Sequence, residues 1–111
     1  MASYLLQLSY SAEAWAALIK HPQDRVEAVG KAVEKLGGKV GSFWASFGDY
    51  DLVGVLEMPD NVSAAAFAFA VAAGGACKNV KTTPLLSIGE AVKAMKKAGN
   101  SGYKPVTDKK K

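Results

Sequence analysis

Phe47-Gly48-Asp49-Tyr50-Asp51-Leu52 decides the reading of this chain. It joins two strand-like segments, 39–47 and 50–57, and sets two carboxylates and a phenol at one turn in a sequence with few other reactive groups. A Gly-Asp pair between apolar runs is a hairpin signal, so the two segments are expected to pair antiparallel, with Gly48 supplying a positive φ. Alternation places Phe43 and Phe47 on one face of the first segment and Val40 and Trp44 on the other. In the second segment Leu52 and Leu56 oppose Val53 and Val55.

Upstream, residues 3–10 read as a strand, with Tyr4, Leu6, Leu8 and Tyr10 on one face and Leu5, Gln7 and Ser9 on the other. Ser11 can cap a helix, and Trp15, Leu18, Ile19, Val26, Val29, Val33 and Leu36 follow helical spacing. Pro22 interrupts this stripe, which predicts a short helix over 12–20 and a longer one from about residue 22, with the proline in its first turn. Gly37-Gly38 ends it. Downstream, Asp60 or Asn61 caps a helix over 62–73 that ends at Gly74-Gly75. Residues 78–88 follow as a strand whose Pro84 suits an edge, then a lysine-rich helix over 89–98 and a tail over 99–111. The order βαββαβ is the ferredoxin-like α+β unit, here with an additional C-terminal helix. Residues 1–98 read as one domain, 99–111 as a Lys-rich tail.

The 111 residues leave room for one core, and half of them are apolar. No apolar run approaches the ~20 residues of a membrane span, and the N-terminus lacks a signal-peptide pattern. A single cysteine, Cys77, has no internal disulfide partner, which suits a reducing, cytoplasmic setting. Residues 1–75 hold five basic and eight acidic side chains, while 76–111 hold nine lysines against Glu90 and Asp108. The excess is all Lys, without the forked Arg donors that read bases, so a solvated face is favoured over a nucleic-acid surface.

Helices on one side of a sheet leave the other side wet, and a wet face should alternate with polar residues. These strands carry large apolar groups on both faces, each worth roughly 1.5–3 kcal/mol when buried. The expectation is a homo-oligomer, a dimer or higher, in which a second copy covers the sheet. The helix at 62–73 has no charge from Val62 to Ala76 and apolar residues all round, marking it as buried or as a further contact.

Gly48-Asp49-Tyr50-Asp51-Leu52-Val53 resembles the signature of the GYD-domain family, named for Gly-Tyr-Asp at this hairpin. Gly37-Gly38-Lys39 and Asn79-Val80-Lys81-Thr82-Thr83 extend the resemblance over about residues 3–90, with a departure at Pro84-Leu85. The resemblance implies a dimeric α/β-barrel-like, ferredoxin-like assembly and no established activity. Relatives of that architecture include cofactor-free oxygenases, chlorite dismutase-like haem proteins and muconolactone isomerase-like enzymes; that is likeness of fold alone.

From the residues, Asp51 either caps backbone amides of the turn or serves as a general base, and Tyr50 either meets a ligand or seals the barrel end. The two start the third strand on opposite faces. His21, the only histidine, is a weak catalytic candidate beside Pro22; with no second His and no Cys cluster, neither a metal nor a cofactor is expected. Cys77 follows a helix C-terminus, the wrong dipole end for activating a thiolate. Trp44 with Gln7, Ser9, Ser42 and Ser46 can form an aromatic wall with polar anchors. No phosphate loop, dinucleotide turn, nucleophile elbow or Cys-x-x-Cys occurs, and the third strand lacks the aromatics of an RNA-recognition sheet. The leading expectation is a small organic ligand lined by Gln7, Trp44, Tyr50 and Asp51, in a cavity at the sheet face or dimer interface. The alternatives are a cofactor-independent oxygenase or isomerase using Asp51 or His21, and a self-assembling structural protein with a filled core.

Overall fold

The computed structural model describes residues 1–107; residues 108–111, the end of the Lys-rich tail, lie outside the described residues. The elements are β1 (Ala2–Tyr10), α1 (Ala12–Lys20), α2 (Arg25–Lys35), β2 (Lys39–Ala45), β3 (Leu52–Met58), α3 (Asn61–Ala73), β4 (Cys77–Leu85) and α4 (Ile88–Gly99). The strands form one sheet in the order β2-β3-β1-β4, and every neighbouring pair is antiparallel. This is the ferredoxin-like α+β arrangement, with α4 added after the last strand. β4 lies at an edge, where Pro84, opposite Tyr4, needs no outward ladder partner.

The core is the face of the sheet carrying Tyr4, Leu6 and Leu8 of β1 and Leu52, Leu56 and Met58 of β3, closed by Val33 of α2 and by Ala64 and Phe67 of α3. Tyr4 is buried with its hydroxyl satisfied: Oη donates to Asn61 Oδ1 at 2.6 Å, tying β1 to the first turn of α3. Asp60, not Asn61, is the cap of that helix, accepting from the Ser63 amide at 2.8 Å.

Several expectations need correction. Val40 pairs with Leu56 and Phe43 with Gly54, both facing the core, because a bulge at Gly41-Ser42 inserts an extra residue. Simple alternation puts Val40 and Phe43 on opposite faces. Phe47 is not in the strand at all: β2 stops at Ala45, and Phe47 is 99% exposed in a broad loop that the Ser46 amide closes onto the Asp51 carbonyl at 2.9 Å. Gly48 does not adopt a positive φ, since a loop this wide needs no left-handed residue, whereas Gly37 does at φ 87°, ending α2. Pro22 sits in the loop between α1 and α2, and α2 begins at Arg25 because the Asp24 carboxylate accepts from the Val26 amide at 2.9 Å. Ile19, counted in the apolar stripe, is exposed. α3 buries Ala64 and Phe67 and leaves Val62 and Phe69 outside.

The other sheet face carries Leu5, Gln7, Val53 and Val55 and is only half-buried within one chain. α4, started by a Ser87–Glu90 capping box, makes almost no contact with the rest of the fold and holds Ile88, Val92 and Met95 in the open. The radius of gyration is accordingly 18.2 Å, against roughly 13 Å for a compact chain of this length.

Gly54 lies directly under the Phe43 ring, where an added Cβ would come within 2.4 Å of ring carbon. Gly54→Ala is therefore expected to lower the unfolding free energy by about 1–3 kcal/mol, the cost of overpacking. Urea denaturation reads it, and an unchanged midpoint contradicts this packing.

Candidate functional site

Where β1 ends, the chain gathers its polar groups. A register shift between Ser9 and Tyr10 turns the strand, leaving Ser9 buried and Tyr10 opposite Cys77. Ser9 Oγ donates to the Asp49 carbonyl at 2.7 Å, and the Asp51 amide donates to the Leu8 carbonyl at 2.7 Å. The Asp51 carboxylate completes the knot: Oδ2 accepts from the Tyr10 amide at 2.9 Å and from Trp15 Nε1 at 3.2 Å. Trp15 also meets the Tyr10 ring edge-on, with centroids 5.4 Å apart and planes at 82°. The hairpin thereby fastens α1 to the sheet. Asp51 caps an amide, one of its two expected roles, but that amide belongs to β1 and not to the turn.

This knot borders a cleft of two lobes between the helices and the end of the sheet. The first, about 440 Å³, has walls from α1 (Ala14, Ala17, Leu18), from α3 (Ala70, Val71) and from Val29, with Cys77 at its base. The second, about 330 Å³, runs toward β2 past Trp15, Phe43, Trp44 and Asp51. Tyr10, Leu18, Gln23 and Arg25 line both. The Arg25 guanidinium is held in place from one side, Nη1 donating to Gln23 Oε1 at 3.1 Å.

The expected site residues separate. Trp44 and Asp51 border the second lobe. Gln7, paired with Val53 and Lys81, lies on the other sheet face, away from the cleft. Tyr50 is half-buried just before β3 and borders neither lobe. His21 is the exposed C-cap of α1, outside both lobes although Pro22 borders one. Among the described residues no three His, Cys, Asp or Glu side chains gather as metal ligands. The residues that reading the sequence missed are Tyr10, Trp15, Gln23 and Arg25. The one signal for the last two was a polar triplet, Gln23-Asp24-Arg25, straight after the Pro22 break.

Burial chiefly, then the neighbouring Cys77, pushes the Tyr10 phenol above its ordinary 10.0, with Arg25 pulling the other way and Asp51 adding to the rise. Burial likewise lifts the Cys77 thiol above 9.0, again opposed by Arg25 and reinforced by Asp51. The cleft therefore presents a phenol and a thiol as neutral groups at neutral pH, beside one cation.

The GYD domain family model matches residues 4–95. The chain belongs to the GYD domain family. The match extends beyond the span of the quoted resemblance, about 3–90, and takes in α4 as far as Met95. It is similar in structure to TTHA0845 from Thermus thermophilus, at 18% identity and a TM-score of 0.46, over 78% of this chain and 95% of that one. No curated protein matches it.

Two outcomes follow from this geometry. Asp51→Ala strands the Tyr10 amide and the Trp15 indole, and is expected to cost about 1–3 kcal/mol in chemical denaturation. In a Trp44→Phe background it also shifts the Trp15 emission, and an unmoved spectrum contradicts the bond. For pH, the folded state retains two protons that the unfolded chain releases first. Stability is thus complete below pH 9.0, the thiol's ordinary value, and falls as pH rises through the raised values of Cys77 and Tyr10. Thermal melts between neutral pH and the alkaline range check this; a melting temperature that climbs with pH contradicts it.

Proposed function

We propose that this GYD domain is a cytoplasmic homo-oligomer, a dimer at its simplest, that binds a small organic molecule in the two-lobed cleft. The observation that carries the ligand reading is the shared lining. Two adjoining hollows, each in the size range of small-molecule sites, have apolar walls and meet at the same few polar groups. Trp44 and Asp51 remain the expected lining residues of the second lobe, now joined by Tyr10, Trp15, Gln23 and Arg25; Gln7 and Tyr50 belong elsewhere. An enzymatic reading has less support, because Asp51 Oδ2 already serves two donors that hold the fold and His21 lies outside the cleft.

The oligomer is supported by two apolar surfaces that one chain leaves uncovered. The sheet face offers Leu5, Val53 and Val55, with Trp44 opposite Val53 and 70% exposed. α4 offers the stripe of Ile88, Val92 and Met95. Apolar area left in water on this scale is the mark of a contact surface. The cytoplasmic placement rests on a half-buried free thiol at Cys77.

Native mass spectrometry of freshly purified protein tests both halves together. The expected spectrum shows an even copy number and a retained small organic mass. In Ala17→Trp, which fills the first lobe from an exposed helix position, the adduct disappears and the copy number stays. A strict monomer at micromolar concentration contradicts the oligomer, and an adduct that persists in Ala17→Trp contradicts the site.

A further inference from the structure

The first lobe has a one-sided chemistry. Its walls are Ala, Leu and Val side chains, its polar groups are Tyr10, Gln23 and Cys77, and among the described residues the only charged side chain that lines it is Arg25. Among the described residues, carboxylates border the second lobe, at Asp24 and Asp51, but none borders the first. Among the described residues the ion pairs are Lys31–Glu27 and Lys39–Glu57, so Arg25 is not neutralised by either. One of its five donors is engaged by Gln23, and that bond steadies the planar fork while leaving the others free. A guanidinium lining an apolar hollow, braced by one side-chain bond, is complementary to one ligand shape: a greasy body ending in a single planar anion.

We infer that the first lobe takes an apolar monocarboxylate, its hydrocarbon part among Leu18, Val29 and Val71 and its carboxylate paired with Arg25. This rests on the proposed cleft binding and specifies the class of ligand. Tyr10 stands beside Arg25 in both lobes and, kept as a phenol by burial, can donate to the same anion. A dianion is disfavoured, since the lobe offers a second charge no partner. A cation meets Arg25 as a like charge and, in this lobe, no carboxylate to offset it.

The test uses three probes of one size on the full chain: 1-naphthoate, the neutral 1-naphthamide, and 1-naphthylmethylamine, which is protonated at pH 7. Affinities come from calorimetry or from amide chemical-shift titration. The expected result is that naphthoate binds roughly two- to fivefold more tightly than naphthamide, as a charge-assisted bond to an exposed guanidinium provides, and that the amine binds weakest. Arg25→Gln, at an exposed position outside the core, removes the preference for naphthoate over naphthamide. Equal affinity for all three, or a preference that survives Arg25→Gln, overturns the carboxylate inference while cleft binding stands. If none of the three binds, both readings fall.

Discussion

One carboxylate oxygen holds the working end of this molecule together. Asp51 Oδ2 accepts from the amide at the end of β1 and from the indole of α1, so the hairpin is tied to the β1–α1 junction, 41 and 36 residues earlier in the chain. Ser9, buried beside it, grips the same loop through the Asp49 carbonyl. The Tyr10 amide is part-buried, and a donor left unmade there costs more than the made bond contributes, so the junction resists small shifts. The position of α1, and with it one wall of each lobe, is set by this contact. The GYD hairpin acts as a clamp: the Asp51 carboxylate and the Asp49 carbonyl hold the β1–α1 junction, and the cleft lies against them.

The sheet presents a second constraint. Its two faces are unequal: one is covered by α2 and α3, the other carries Leu5, Val53 and Val55 with only partial cover. The same chain extends a well-capped, amphipathic α4 away from its own body. Both features point away from a chain that is complete by itself, because hydrophobic area left in water stabilises whatever association covers it. Trp44 belongs to both surfaces, bordering the second lobe of the cleft and standing opposite Val53 on the half-buried sheet face.

How much of this was legible in the sequence depended on the range of each interaction. Period-two alternation placed Tyr4, Leu6 and Leu8 on the core face, and Ser11 capped α1 as its hydroxyl suggests. Strand order followed from the order of elements. Phe43 was misplaced because the bulge at Gly41-Ser42 breaks the period, and nothing in those two residues signals the break apart from the glycine. The hairpin signal was real but its geometry was not, since Ser46 and Asp51 close a wider loop than a Gly-Asp turn implies. Trp44 and Asp51 came together by way of neighbouring strands. Arg25 reaches the cleft only after a helix break, a crossover and the packing of α2 against β2, none of which a residue spacing encodes. Gln7 lies where alternation puts it, on the face opposite Tyr4, Leu6 and Leu8, across from Val53, which also pairs with Trp44.

The clamp itself is open to a direct measurement that requires no substitution. The chain has two indoles: Trp15, bonded to Asp51, and Trp44, largely exposed at the edge of the sheet. Hydrogen exchange of the two indole N–H groups, followed by NMR in the folded protein, compares them within one sample. Slow exchange at Trp15 beside fast exchange at Trp44 is the predicted result. Equal, fast exchange at both would show that α1 is not held to the hairpin, and the cleft built against it would lose its wall.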